Sequence, residues 1–176
     1  MRAPNHQTAG LPMRIRLGLL AALLTLAADQ ISKWWIVDIY HLPERGSVAI
    51  LPLLNLTMVQ NQGITFGLFH QDGASGPWLL GAVSLAVVAA LAYWLTRAES
   101  ALVAGALGAI IGGAIGNVLD RFRFGFVVDF IHAHALGYSW YVFNIADAAI
   151  VCGVAALLLD GFRAKPERLQ APTIRQ

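Results

Sequence analysis

Two stretches of this chain, Pro77 to Thr96 and Ala101 to Leu119, contain no charged side chain at all. A run of about 20 apolar residues matches the hydrocarbon thickness that a helix must cross. Both are predicted to be transmembrane helices. Two further apolar runs reach that length only if they take charges in with them. Leu17 to Val37 must include Asp29 and Lys33, and Tyr141 to Leu159 must include Asp147. Trimming either to avoid its charges leaves about a dozen residues, too few to span. The pattern therefore predicts four spanning helices, two of which carry ionisable groups. Arg14 and Arg16 before the first run resemble the start of a secretory signal. Such a signal would end in a small-residue cleavage site, but this run ends in Asp29, Lys33 and two tryptophans, so it reads as an uncleaved anchor.

Between the spans the pattern changes. Leu54 to Gln60, LNLTMVQ, alternates apolar and polar positions with period two and predicts a short β segment. It lies in the larger external piece, Asp38 to Gly76, where Gln71 to Gly76 (QDGASG) reads as a turn. Arg121 to Val142 forms a second external piece. Residues 1–11 and 165–176 read as polar tails around one membrane domain, 12–164, whose external β-containing loop covers about 39–76. In the third span Gly108, Gly112 and Gly116 share one helical face and allow another helix close approach. The expected class is a membrane all-α fold with four transmembrane helices and a small external β element.

Composition agrees. Hydrophobic residues make up 57% and charged residues 12%, against about 25% charged in soluble domains. The basic balance comes from a few Arg and Lys at the ends and does not suggest a nucleic-acid partner. Cys152 is the single cysteine, so no intrachain disulfide can form. Eight Lys or Arg lie on the side that holds both termini and three on the other, which places the termini in the cytoplasm.

With that topology the polar residues gather at one level, the outer half of the bilayer. Asn117, Asp120 and Arg121 close the third helix on neighbouring parts of its surface; Asp29 and Lys33 are an i, i+4 pair in the first; Asn144 and Asp147 open the fourth. Taken singly, each has a structural explanation. Asp29 and Lys33 can pin helix register, and Asp120 and Arg121 can form an interfacial charge pair. Asn144 and Asp147 have the spacing of a capping box, and Asp129 can be a loop carboxylate bonded to backbone amides. Taken together they also suit a hydrolytic carboxylate pair, in which one member keeps a proton while the other activates water. His132-Ala-His134 near Asp129 offers a rival zinc set, but His-x-His in a loop is a weak signal. No metal or cofactor is expected, and His41 and His70 read as solvated. A small proton-coupled transporter or accessory membrane protein, with Asp29, Lys33 and Asp147 as a relay, is the other functional class. Against it, the inner halves of the spans are nearly free of ionisable residues.

Five blocks in order resemble the bacterial lipoprotein signal peptidases, or signal peptidase II: DQISK (29–33), NQGITFG (61–67), GGAIGNVLDR (112–121), VVDFI (127–131) and FNIADAAI (143–150). The resemblance implies an intramembrane aspartyl endopeptidase of the bacterial inner membrane, with its site towards the outer face. It would act on lipid-modified prolipoproteins, cutting before the lipidated cysteine. Apart from the resemblance, no cofactor is expected, and the chain is expected to be a monomer in contact with membrane lipid. By motif match the catalytic pair falls on Asp129 and Asp147, and the polar supports on Asp29, Lys33, Asn61, Gly63, Asn117, Arg121 and Asn144. It also implies a loop that covers the site. HAHALGYSWYV (132–142) fits the family pattern less well than the blocks on either side.

Overall fold

The computed structural model describes residues 11–63 and 75–163. Helix α1, Met13–Trp34, continues into a π-helical turn, Trp35–Ile39, and a short helix α2, Leu42–Arg45. Strands β1 (Ser47–Leu51) and β2 (Leu54–Asn61) come next, then helices α3 (Ser75–Leu95) and α4 (Ala101–Phe124). Strands β3 (Val127–Ala135) and β4 (Tyr138–Ser139) precede helix α5 (Ile145–Arg163). Four helices, α1 with its π turn, α3, α4 and α5, are long and apolar enough to cross a membrane. The strands form one antiparallel series in the order β1-β2-β3-β4.

Helix α4 is central, packing against α1, α3 and α5. Its glycines explain how. A Cβ on Gly108 would strike the Gly18 carbonyl, one on Gly112 the Ala22 carbonyl, and one on Gly116 the Asp29 carboxylate. The face predicted from four-residue spacing is therefore where α1 crosses. Backbone contact of this kind takes the place of the hydrophobic drive that lipid cannot supply. On the α5 side a Cβ at Gly113 would come to 2.7 Å from the Ala146 carbonyl, so the start of α5 is held just as tightly.

The ends of the elements differ from the sequence expectation in instructive ways. Helix α4 runs on past Leu119 to Phe124, with Arg121 and Arg123 in its last turn, where cations complement the helix dipole. It stops at Gly125, whose φ of +80° closes the helix. Helix α5 starts at Ile145 rather than at Tyr141, because Phe143 is held in a bridge to Ile131. Of the turn expected at Gln71 to Gly76, Ser75 and Gly76 already belong to α3, and the rest lies outside the described residues. So do both expected tails beyond Leu11 and Arg163, the covering loop, and Ile64 to Gly67 of the second motif.

The β segment is larger than expected. Leu54 to Gln60 is indeed strand, as β2, but it pairs with β1 on one side and β3 on the other. Strand β3 occupies ground expected to be loop. Its first four residues, Val127 to Phe130, are all buried, so both faces are covered and no alternation betrays it. Val128 and Phe130 pack with Ile36 and Leu42, which lays the strand across the end of α1.

Candidate active site

Asp147 lies in the first turn of α5 and Asn144 just before it. The Asp147 N–H donates to Asn144 Oδ1 at 2.9 Å, and the Asn144 N–H donates to Asp147 Oδ2 at 3.2 Å. This reciprocal pair is a capping box, as the spacing allowed. Asp147 Oδ1 is left over, and Asn117 Nδ2 from α4 donates to it at 2.8 Å. The Asn144 amide is also shared: its Nδ2 donates to Asp129 Oδ1 at 2.7 Å, Asn117 Oδ1 at 3.1 Å and the Val128 carbonyl at 3.3 Å. Asp129 Oδ2 accepts from Asn61 Nδ2 at 2.9 Å. A continuous line results, Asn61–Asp129–Asn144–Asn117–Asp147. The two carboxylates sit one on each side of a pair of amides.

Secondary structure sets this line up. Phe143 N–H donates to the Ile131 carbonyl at 3.0 Å and its own carbonyl accepts from Ile131 N–H at 2.8 Å. That bridge draws the start of α5 against the strand carrying Asp129. Strand β2 arrives antiparallel, with Val59 opposite Asp129 and Asn61 opposite Val127. Beyond Asn61, Gly63 turns with φ +76°, and its N–H donates to Asn61 Oδ1 at 2.8 Å. Both ends of the Asn61 amide are thereby committed. A Cβ on Gly63 would collide with Leu80 and lie 3.7 Å from Arg121 Nη2, so the guanidinium and this turn are close neighbours.

Behind the carboxylates lies a buried ionic group. Lys33 Nζ is 2.8 Å from Asp29 Oδ2 and 2.8 Å from Asp120 Oδ2, and donates to Asn117 Oδ1 at 3.1 Å. Asp29 Oδ1 accepts the Ala146 N–H at 3.0 Å, tying α1 to the first turn of α5. Asp120 Oδ2 accepts the Val128 N–H at 3.1 Å, fixing the residue before Asp129. The expected Asp29–Lys33 pair is present, but the Asp120–Arg121 pair is not. Consecutive helical positions do not face each other. Asp120 turns to Lys33, while Arg121 Nη1 donates to the Asn117 carbonyl at 3.2 Å. Arg121 lies in the field of Asp147, Asp120 and Asp129, and its buried Nε has no hydrogen-bond partner among the described residues.

Gln30 belongs to the same group, although the sequence pattern alone does not single it out. Its Nε2 lies 3.1 Å from Asp29 Oδ2, 3.3 Å from the Gly116 carbonyl and 3.1 Å from Asp120 Oδ1. Its place between Asp29 and Lys33 in DQISK was the available clue.

Asp129 is only 1% exposed. Burial raises its pKa from the usual 3.8 to about 6, and the Asp147 charge adds to the rise, while hydrogen bonds from Asn61 and Asn144 and the Lys33 charge oppose it. It is not the loop carboxylate on backbone amides that sequence allowed; its partners are side-chain amides. The histidines stand apart. His132 is an odd number of residues from Asp129 on one strand and so projects to the opposite face. Its ring nitrogens lie 3.4 Å from Thr57 Oγ1 and 3.2 Å from Ser139 Oγ. Among the described residues no group of three His, Cys, Asp or Glu is placed to share a metal.

Residues 21–163 match the family model described as signal peptidase (SPase) II. The chain belongs to this family. The lipoprotein signal peptidase of Methylorubrum extorquens (strain PA1) is 51% identical over 151 residues, covering 86% of this chain and 88% of that one. That of Beijerinckia indica subsp. indica is 46% identical over 156 residues, covering 89% and 93%. Two solved bacterial membrane enzymes, determined in meso, share the fold. One, at 2.3 Å, has a TM-score of 0.74 and 25% identity over 90% of this chain and 94% of its own. The other, at 1.9 Å, has a TM-score of 0.73 and 27% identity over 85% and 94%.

As a signal peptidase II the chain is a membrane peptidase, and the transport reading loses its support. Asp29, Lys33, Asn117, Asp120, Asp129 and Asn144 are the buried polar or charged side chains among the described residues, and all six belong to this one cluster. A relay across the bilayer needs such groups in the other half of the helices too.

Proposed function

We propose that this signal peptidase II is an aspartyl endopeptidase that removes the signal peptide from diacylglyceryl-modified prolipoproteins, cutting before the lipid-bearing cysteine. The observation that carries the proposal is the amide-bridged pair, Asp129 held by Asn144 at 2.7 Å and Asp147 held by Asn117 at 2.8 Å, with the two amides bonded to each other. Two carboxyls in one site share a proton. The ionised member takes a proton from water as the oxygen attacks the scissile carbonyl carbon. The protonated member hydrogen-bonds the carbonyl oxygen as it gains charge. The proton then passes to the departing amide nitrogen. A carboxylate pair does this without a metal, a cofactor or a covalent intermediate.

The remaining residues hold rather than react. Lys33, Asp29 and Asp120 fix Asn117, the start of α5 and the strand before Asp129. Asn61 holds Asp129 and the Gly63 turn, and Arg121 is placed to hydrogen-bond substrate backbone, which lipid cannot satisfy. The site lies at the outer end of the helices with both termini cytoplasmic, consistent with the Lys and Arg distribution. A lipidated signal peptide is itself a membrane helix, so its scissile bond reaches this level from within the bilayer. The enzyme acts as a monomer surrounded by membrane lipid.

The test is cleavage of a lipidated precursor by purified wild type, Asp129→Asn and Asp147→Asn in the presence of a chelator. The expected result is full activity for wild type and loss of about 10²-fold or more in each variant. A wild type that is inert until zinc is added, or a variant that cleaves normally, overturns the mechanism.

A further inference from the structure

Strand β3 crosses the end of α1 with its first four residues buried, and then continues for five more. Those five extend the strand by about 17 Å at 3.3 Å per residue. The β3–β4 hairpin lies beyond the buried part of the strand, at the end of the bundle where α4 finishes and α5 begins. Its turn is two residues long, with Leu136 at φ 51° and Gly137 at φ 81°. A turn with both central residues at positive φ favours Asn-Gly, and a leucine there sits in a backbone region it rarely adopts. Yet Leu136 is 96% exposed, with Tyr138 at 82%, Tyr141 at 81% and Trp140 at 72% beside it.

The hairpin tip carries no formal charge. From Phe130 to Ala146 the sequence holds no Asp, Glu, Lys or Arg, whereas exposed strand ends are ordinarily guarded by charge. The β1–β2 hairpin adds to the same patch. Its Leu53 carbonyl accepts the His134 N–H at 3.0 Å, and Leu51 and Leu53 are both exposed. Between the two hairpins lies a cleft of about 360 Å³, lined by Leu53, His134, Tyr138 and Trp140 among others. At the same end of the bundle Trp34 and Trp35 close α1, Trp78 opens α3, and Phe122 and Phe124 close α4, all exposed. Aromatic residues at the ends of spanning helices mark the membrane interface. The hairpin adds Tyr138, Trp140 and Tyr141 to the exposed aromatics at that end.

We propose that the β3–β4 hairpin, with Leu136 at its tip and Tyr138, Trp140 and Tyr141 behind it, is a membrane-interface anchor that inserts into the lipid beside the bundle. The anchor holds the sheet, and with it Asp129, flat on the bilayer surface. The proposal rests on the four spanning helices and the sheet, not on the catalytic chemistry.

The experiment uses the full chain with Cys152 replaced by Ala, reconstituted in phosphatidylcholine vesicles. A fluorophore is attached in turn at Leu136→Cys, Tyr138→Cys and, as a water-facing reference, Glu44→Cys on α2, where the native residue is exposed. Lipids brominated high on the acyl chain should quench the labels at 136 and 138 at least twofold more than the label at 44. Aqueous iodide should show the opposite order. Iodide reaching all three labels equally would overturn the proposal. So would labels at 136 and 138 that neither quencher reaches, since protein rather than lipid would then cover the tip. Two positions are used so that one poorly folding variant does not decide the outcome.

Discussion

Asp129→Asn should make the protein more stable at neutral pH while removing its activity. The carboxyl is raised from 3.8 in the unfolded chain to about 6 in the folded one, first by burial. Below pH 3.8 both states hold the proton and nothing is lost. As pH rises through that window the unfolded chain releases its proton before the folded chain does, so stability falls, and above about pH 6 the loss is complete. A difference of about 2 pKa units corresponds to about 3 kcal/mol. Asparagine avoids that loss, but its NH₂ must face the NH₂ of either Asn61 or Asn144 and leaves a buried donor unpaired, at about 1–3 kcal/mol. The net gain above pH 7 is at most about 2 kcal/mol, a rise in Tm of up to about 4–8 °C for a chain of this size. Thermal unfolding in detergent, followed by tryptophan fluorescence from pH 4 to pH 8, reads it directly. Taking the difference between variant and wild type cancels the other titrating groups. The variant should be no more stable than wild type near pH 4 and should gain steadily up to about pH 6.5. A difference that is flat with pH would refute the assigned burial cost of Asp129.

The same shift bears on activity: kcat/KM reports the free enzyme, so it should decline as pH rises through about 6 and the shared proton is lost. A profile still climbing between pH 6 and pH 9 would count against a proton held at Asp129. Lys33→Met leaves Asp29 and Asp120 buried with their charges unmatched, and should cost about 3–5 kcal/mol. Adding Asp29→Asn should recover part of that loss; a double variant no better than the single one in thermal unfolding would show that the charges are not what Lys33 balances.

The helices were readable from sequence because a bilayer demands unbroken apolar length, and α3 and most of α4 show it directly. The convergence of Asp29, Lys33, Asn117 and Asn144 was also readable, since helix direction alone puts them at one end. What sequence concealed was pairing across the chain. Asp120 and Arg121 are neighbours in opposite-charge order, yet the buried Lys33 takes Asp120 away. Strand β3 was hidden for a different reason. Buried on both faces at Val127 to Phe130, it shows no alternation, so Asp129 read as a loop residue when it stands on the most enclosed strand of the sheet. Gln30 was missed because an amide beside a charged pair draws no notice until its three acceptors are seen.

The capping box and the proposed hydrolytic pair are not exclusive explanations of Asp147, because the cap leaves one carboxylate oxygen free of the helix. The cap uses one carboxylate oxygen, Oδ2, on the Asn144 N–H, leaving Oδ1 to Asn117. An asparagine at position 147 would supply an oxygen to the same N–H, so capping alone does not require a charge there. Capping interactions contribute about 1 kcal/mol, and much of that would survive the change from carboxylate to amide. A carboxylate retained near a second, buried carboxyl calls for a reason that the cap does not provide. Proton transfer provides one. On this reasoning the cap is how the fold aims Asp147: it commits one oxygen to the helix so that the other is held in a fixed direction beside the Asn144–Asn117 amides. Asp147→Asn should therefore unfold within a few degrees of wild type while failing to cleave. A large loss of stability would return Asp147 to a purely structural role.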